Sequence, residues 1–206
     1  MNKIKLNSYF ANISTMRIKI CLISIVIIFV VIKYWQHHKF HEDRLVAQNY
    51  QTMLQAISVS DFVTVKTYGA ELLKYSNRTP YPRLAALLLA KVFMLEDNLD
   101  EAAIRLNFVV NKKKKDEIWH LANLRLAKVL LLQNKLSDAK KILEIGMTQK
   151  KFSGRYQELQ GDLLFADHKL MEANKEYQDA LKNLPKQVAV PWLDLKITET
   201  ALEDNV

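Results

Sequence analysis

Apolar residues are distributed in two different ways along this chain of 206 residues. Between residues 18 and 35 they form one nearly continuous run in which large aliphatic side chains predominate. Further along they recur every three or four residues, which is the period of a helix with one buried face. No segment of the body alternates apolar and polar residues as a strand does. The pattern predicts an all-α fold that follows an apolar N-terminal helix.

The apolar run is long enough to cross a membrane. As a helix, residues 18–35 would extend about 27 Å, close to the hydrocarbon thickness of a bilayer. The run ends in Lys33, Tyr34 and Trp35, and such basic and aromatic side chains favour the interface between lipid and water. We expect a transmembrane helix over 18–35, with these three residues at the membrane surface.

The same segment indicates how the chain is processed and oriented. Val30 to Trp35 contain no small residues in an A-x-A-like pattern, which disfavours signal cleavage. Four basic residues lie before the run or at its start (Lys3, Lys5, Arg17, Lys19), and three lie at its end or closely after it (Lys33, Lys39, Arg44). This small bias favours a cytoplasmic N-terminus. We expect an uncleaved single-pass anchor in a bacterial inner membrane, with a short basic cytoplasmic segment (1–17) and a periplasmic domain (36–206). A cleaved signal and a buried soluble helix are the alternatives.

The body contains one arrangement of small and large residues three times. In the last copy, Gly161, Ala173, Tyr177 and Ala180 hold positions 8, 20, 24 and 27 of a tetratricopeptide repeat. The pattern recurs 34 residues earlier and again 37 residues before that. The framework residues of the three copies are Ala90, Ala102, Ala127, Ala139, Gly161, Ala173, Tyr177 and Ala180.

This periodicity predicts an α-solenoid of tetratricopeptide type. We expect repeats at about 83–116, 120–153 and 154–187, a degenerate helical pair over 42–77 and a C-terminal capping helix over 190–202. The degenerate pair lacks the small residues of the consensus.

Helix packing explains the spacing. A small residue at position 20 allows the second helix of a repeat to cross the first closely. In the turns between these helices, Asp100 and Ser137 are candidate N-caps of the second helix. His168 takes the turn position held by Asp97 and Asn134 in the other copies, so we interpret it as a turn residue.

The charge distribution argues against nucleic-acid binding. The net charge is +8, but residues 1–35 contain five basic and no acidic residues. The body is therefore nearly balanced, with 25 basic and 22 acidic residues, and lacks the basic surplus of a nucleic-acid-binding domain. We interpret the lysine run Lys112–Lys115 as a solvated, enlarged loop between repeats. Binding to acidic partners or to headgroups is the alternative.

The sequence offers little catalytic chemistry. His120 and His168 are isolated, and no Gly-rich phosphate loop or Ser/His/Asp arrangement is visible. The single cysteine, Cys21, lies in the apolar run and can form no intramolecular disulfide. Since a catalytic histidine needs positioned partners, we expect a non-enzymatic protein without a cofactor.

Three histidines follow the apolar run and raise the question of a metal site. His37 and His41 are separated by four residues, which places them on one helix face, and His38 lies between them. The cluster has no closed ligand spacing. We interpret it as a juxtamembrane extension of the helix, and we expect no metal; a metal-binding protein or membrane enzyme that uses these histidines is the alternative.

The repeats predict a groove that binds protein segments rather than small polar ligands. The predicted groove residues lie at positions 9 and 12 of the first helix of each repeat, and also at positions 2 and 5 in the third repeat. They combine lysine, methionine, leucine and phenylalanine with acidic residues, a mixture that suits the binding of peptides. The predicted groove residues are Lys91, Met94, Lys128, Leu131, Arg155, Glu158, Asp162 and Phe165.

These parts together resemble the YfgM family. The segment Asn123–Val129, NLRLAKV, is similar to the middle-repeat signature of that family. The next first helix is similar to the family's through Arg155, Leu159, Gly161, Asp162, Leu163 and Leu164. The more basic N-terminal segment and the run Lys112–Lys115 depart from the family pattern without touching the repeat framework.

The resemblance implies an ancillary subunit of the SecYEG translocon. Its implied partners are the translocon, a membrane-anchored periplasmic chaperone of the PpiD type and unfolded client chains, together with the lipid bilayer that holds the anchor. No nucleic-acid partner is implied. A repeat-based assembly factor for another inner-membrane complex, in pilus or cytochrome maturation, is the alternative.

Overall fold

The computed structural model describes residues 3–75, 79–147, 150–185 and 190–203, all of them helical or in the connections between helices. Of residues 3–23, 26, 38–41 and 202–203 it describes the backbone alone. The helices are α1 Lys3–Ser58, α2 Phe62–Leu72, α3 Tyr81–Leu95, α4 Leu99–Val110, α5 Glu117–Leu132, α6 Leu136–Gly146, α7 Ser153–Ala166, α8 Leu170–Asn183 and α9 Pro191–Glu203. A short 3₁₀ turn, Lys150–Phe152, precedes α7. The described residues contain no strand, which confirms the predicted all-α class.

The chain divides into two compact units, Met1–Gln48 and Asn49–Val206. In the first unit, the described aliphatic side chains from Ile27 to Ile32 are about half exposed. The ammonium group of Lys33 lies 5.7 Å from the centre of the Phe29 ring, one helical turn away.

The predicted membrane span falls partly outside the described residues. The side chains of residues 18–23 and 26 are not described, and neither are those of the predicted cytoplasmic segment 1–17. Within the part of the chain that is described, no helix is sufficiently long and apolar to cross a bilayer.

The second unit is built from successive antiparallel helix pairs, with α3 on α4, α5 on α6 and α7 on α8. All eight framework residues are buried, and the six alanines are completely inaccessible to solvent. Because no side chain larger than a methyl group separates the helices at these alanines, each pair crosses closely. α9 packs on α8 at the end of the unit, where it covers the last pair as a capping helix does.

The same turn joins the two helices of each pair. Ser60, Asp97, Asn134 and His168 all have φ between 57° and 58°, the left-handed conformation. The amide of each following residue donates to the carbonyl five residues earlier, at 2.8–2.9 Å. This is the Schellman geometry that ends a helix and satisfies its last carbonyl groups. His168 is therefore a turn residue, as its alignment with Asp97 and Asn134 predicts.

The first helical pair has the same turn as the other three pairs. Its turn at Ser60 has the geometry of the other three, and Ser60 precedes Asp97 by the same 37 residues that separate Asp97 from Asn134. Met53 occupies the position that is small elsewhere, and Gly69 the position that is large. A Cβ atom on Gly69 would lie 2.7 Å from the side chain of Leu89, so the missing side chain makes room for Leu89 of α3.

The helix starts differ from the sequence prediction by one to two residues. Asn98, not Asp100, caps α4, where its side-chain oxygen accepts from the amide of Glu101 at 3.1 Å. Ser137 lies inside the first turn of α6, whose N-cap residue Lys135 makes no side-chain capping bond. Each turn of this kind already satisfies its backbone through the left-handed residue, so the helix begins directly after it.

Candidate protein-binding surface

The first helices of successive pairs meet through residues about one repeat apart in sequence. Arg83 and Asp116, His120 and Tyr156, and Asp162 and Lys196 are 33 to 36 residues apart and in hydrogen-bond contact. Residues about one repeat apart on α3, α5, α7 and α9 are therefore neighbours. We call the surface formed by these four helices the first-helix face; it carries all eight predicted groove residues.

The α3–α5 half of this face presents two lysines at equivalent positions. The side chains of Lys91 and Lys128 are exposed, and neither forms an ion pair or hydrogen bond with any residue that the structure describes. Met94 and Leu131 lie beside them, half-buried on the main core. Leu121, seven residues before Lys128 on α5, is 42% exposed. This half combines unneutralised positive charge with accessible apolar surface.

The α7–α9 half of the face is already in contact with α9. The Lys196 ammonium donates to Asp162 Oδ1 at 2.6 Å and lies 3.4 Å from Glu158 Oε1. The indole of Trp192 donates to the same Glu158 oxygen at 3.0 Å. The guanidinium of Arg155 lies 5.7 Å from the centre of the Trp192 ring. Both acids of this half are therefore neutralised from within the chain.

Apolar and polar contacts behind this half reinforce the arrangement. Phe165 packs against the cluster that α8 and α9 share, which includes the buried Leu193. The hydroxyl of Tyr177 donates to Asp162 Oδ1 at 2.9 Å. Burial, together with the adjacent Asp162 carboxylate, raises the pKa of Tyr177, which therefore stays protonated. Arg155, Glu158, Asp162 and Phe165 thus form contacts within the chain, while Lys91, Met94, Lys128 and Leu131 belong to the open half.

A buried polar cluster lies between α5 and α7. The Nδ1 atom of His120 is 2.9 Å from the hydroxyl of Tyr156, and its ring stacks on Phe152 with centroids 4.3 Å apart. Asn123 donates to the carbonyl of Ile142 at 2.8 Å. Burial raises the pKa of Tyr156 to about 12. His120 is thus not isolated in the fold, although its partner is 36 residues away in sequence.

This cluster joins helices rather than performing chemistry. His120, Asn123 and Tyr156 are each no more than 1% exposed, so no substrate reaches them. Their hydrogen bonds connect α5 to α6 and α7 and replace the water that buried polar groups lose. The cluster therefore fixes how α7 packs against α5. In this way it sets the position of Lys128 relative to Glu158 and Asp162.

The histidines near the N-terminal run are described only in part. Among the described residues, no group of three His, Cys, Asp or Glu side chains is placed to hold a metal ion. The side chains of His38 and His41 lie outside the described residues.

Comparison with known families and proteins gives one match. The sequence profile of a family described as a tetratricopeptide repeat-like domain matches residues 9–202, most of the chain. No curated protein shows a significant match. The matched region includes α2 to α8 in full and most of α1 and α9.

Proposed function

Because the chain belongs to the tetratricopeptide repeat-like domain family, we propose that it is a non-enzymatic, membrane-tethered scaffold that binds protein segments on its first-helix face. The open α3–α5 half of that face carries the proposal. There, Lys91 and Lys128 have no ion partner among the described residues, and they lie beside the accessible side chains of Met94, Leu131 and Leu121. Exposed apolar surface next to uncompensated charge is typical of a protein-binding site.

The closed half indicates what kind of segment the open half would bind. α9 meets the acids Glu158 and Asp162 with one aromatic residue and one lysine. On α3 and α5, lysines occupy the positions equivalent to Asp162, and leucines occupy those equivalent to Glu158. A segment that binds there by the same geometry carries acidic residues beside apolar ones.

The sequence of the N-terminal segment supports a membrane location. We propose that residues 18–35 anchor the chain in a bacterial inner membrane with the N-terminus in the cytoplasm and the repeat body in the periplasm. Anchoring confines the repeats to the membrane surface, where a high local concentration makes weak contacts sufficient. The resemblance to the YfgM family supports the SecYEG translocon and a PpiD-type chaperone as the partners, with newly translocated proteins as clients.

Site-specific photocrosslinking in membranes tests this function. A photoreactive residue at Lys91 or Lys128 is expected to give adducts with translocon subunits or the chaperone. The same residue at Lys140, an exposed lysine of α6 outside the first-helix face, is the matched control. Adducts from Lys91 and Lys128 that contain neither partner would overturn the translocon assignment. Adducts with pilus or cytochrome assembly proteins would favour an assembly factor instead.

A further inference from the structure

A second charged surface lies at the loop between the α3–α4 and α5–α6 pairs. Lys112, Lys113, Lys114 and Asp116 line one side of an open pocket of about 520 Å³, which Thr79, Arg83 and the start of α5 complete. Cavities of this volume are large enough to hold a small ligand. We call it the loop pocket.

An ion pair between Arg83 and Asp116 forms the base of the loop pocket. Arg83, only 5% exposed, donates both terminal nitrogens to the Asp116 carboxylate at 2.7 and 2.8 Å. Asp116 also caps α5 by accepting from the amide of Trp119 at 3.1 Å. The Trp119 indole in turn donates to the carbonyl of Val110 at 2.9 Å, which fixes the base of the loop. The base of the loop is thus held by paired, largely buried groups, while Lys113, Lys114 and Lys115 are exposed.

The rim of the loop pocket carries an excess of positive charge. Asp116 pairs with Arg83 and lies 3.4 Å from the ammonium of Lys114, and the other acid of the lining, Glu117, pairs with Lys151 at 3.0 Å. Lys112 is held over the Phe108 ring, 4.4 Å from its centre. Lys113 forms no ion pair with any residue that the structure describes. The lining therefore favours an anion.

The position of the pocket in the fold indicates the source of that anion. The chain enters the second unit at the same edge, because the ring of Tyr50, near the start of the unit, lies 5.5 Å from that of Tyr81 at the start of α3. Residues 36–48 connect the proposed anchor to this edge, and even fully extended they span at most about 45 Å. An anchored chain therefore keeps this edge within about 45 Å of the membrane surface.

We propose that the loop pocket binds the phosphate group of an anionic phospholipid such as phosphatidylglycerol. The inference rests on the proposed membrane anchor. A phosphate offers acceptor oxygens and negative charge to the three lysines, each of which gains favourable energy near an anionic surface. Lipid contact there would give the repeat body a second attachment to the membrane besides the anchor.

Lysine footprinting of the full chain in nanodiscs tests the proposal. The acylation rates of Lys112, Lys113 and Lys114 are compared in phosphatidylcholine nanodiscs and in nanodiscs that contain phosphatidylglycerol. We expect the rates to fall about fivefold with phosphatidylglycerol, and those of Lys135, Lys140 and Lys141 to remain unchanged. These three lysines lie on α6 or on the turn before it and serve as the internal control.

A variant separates specific binding from general attraction. Replacing Lys113 and Lys114 by Gln is expected to abolish the protection that soluble dihexanoyl phosphatidylglycerol gives to Lys112, whereas replacing Lys135, Lys140 and Lys141 by Gln leaves it intact. Equal protection in both variants would overturn the proposal.

The remaining outcomes are distinguishable. Protection by inorganic phosphate in phosphatidylcholine nanodiscs, without a further effect of phosphatidylglycerol, would assign the pocket to free phosphate and overturn the lipid source. An anchored chain whose labelling is equal in both lipids would overturn this inference alone. A chain absent from the nanodisc fraction would overturn the anchor and the lipid site together.

Discussion

The two halves of the first-helix face have the same framework but differ in what completes them. On α7, Glu158 and Asp162 are met by Trp192 and Lys196 of the chain's own last helix. On α3 and α5, the positions equivalent to Asp162 carry Lys91 and Lys128, which meet no partner among the described residues, and the positions equivalent to Glu158 carry leucines. The framework of small residues fixes the backbone, and the exposed positions of the first helices decide which half is closed within the chain and which is left open. The difference locates the binding surface more narrowly than the repeat pattern does.

The largest effect is expected where α9 joins the core. Leu193→Ala should lower the free energy of unfolding by about 3 kcal/mol, because Leu193 is completely buried and its truncation leaves a cavity. Leu131→Ala in the open half should cost only about 1 kcal/mol, since that side chain is half-buried. Urea unfolding of the full chain in mild detergent, followed by circular dichroism, measures both. Equal losses would contradict a closed half that depends on α9.

The salt bridge at the edge of the open half gives the next effect. Asp116→Asn should destabilise the chain by about 2 kcal/mol, since it leaves the buried Arg83 without a charged partner. The hydrogen bonds from Arg83 hold the pKa of Asp116 well below its usual range. Because folding lowers this pKa, the ionised carboxylate stabilises the folded chain at pH values above about 4, the pKa of Asp in the unfolded chain. This stabilisation is lost as the pH falls below that value.

This linkage is checked by unfolding at several pH values. The stability of the unchanged chain should decline more steeply below about pH 4 than that of the Asp116→Asn variant. Parallel declines would show that Asp116 does not carry the pH dependence.

A smaller effect is expected from the charges of the two halves. Lys196→Met should cost about 1 kcal/mol, because it removes partly exposed ion pairs to Glu158 and Asp162 while keeping an apolar stem over the Tyr177 ring. Lys91→Met, which removes a lysine at an equivalent position of the open half, should change stability by less than about 0.5 kcal/mol. Thermal unfolding of both variants tests the contrast, and a larger loss from Lys91→Met would reverse it.

The smallest expected change is stabilising. His168 in the closed half and Asn134 in the open half both adopt a left-handed conformation, which asparagine tolerates better than histidine. His168→Gly should raise stability by about 0.5–1 kcal/mol, and Asn134→Gly by less. Calorimetry of the two variants measures the difference. A destabilised His168→Gly variant would mean that the imidazole makes contacts that outweigh its backbone strain.

The sequence predicts the repeats well because their signal is steric and periodic. Ala102, Ala139 and Ala173 recur at one position, and each is buried at a helix crossing. The same reasoning does not detect the first pair, because its side-chain sizes differ from the consensus. Met53 is large at a position that is small in the other pairs, and Gly69 is small at a position that is large in them. The space at Gly69 is filled by Leu89 of α3. Matching each position to the consensus therefore misses this pair. The spacing of 37 residues between the turns at Ser60 and Asp97 would have indicated that it is a repeat.

The open and closed halves are harder to predict. Whether Asp162 is available to a partner depends on Lys196, 34 residues later, and therefore on how the last helix packs. The contact of His120 with Tyr156 has the same character, because the residues belong to different repeats. Pairs one repeat apart at matching helix positions are the signal that sequence reasoning could have used. Their hydrogen bonds also depend on how each helix is rotated about its axis, and the spacing of residues in the sequence does not predict that rotation.

The use of glycine in this fold determines where the chain tolerates substitution. Its four glycines are Gly69, Gly146, Gly154 and Gly161. None of them has a positive φ, and an added Cβ would overlap a neighbouring helix at each. The turns, where glycine usually supplies conformational freedom, are held by other residues. The usual expectations for mutational tolerance are therefore reversed: the helix interiors are intolerant of added side chains at their glycines, while the turns accept glycine with a gain in stability.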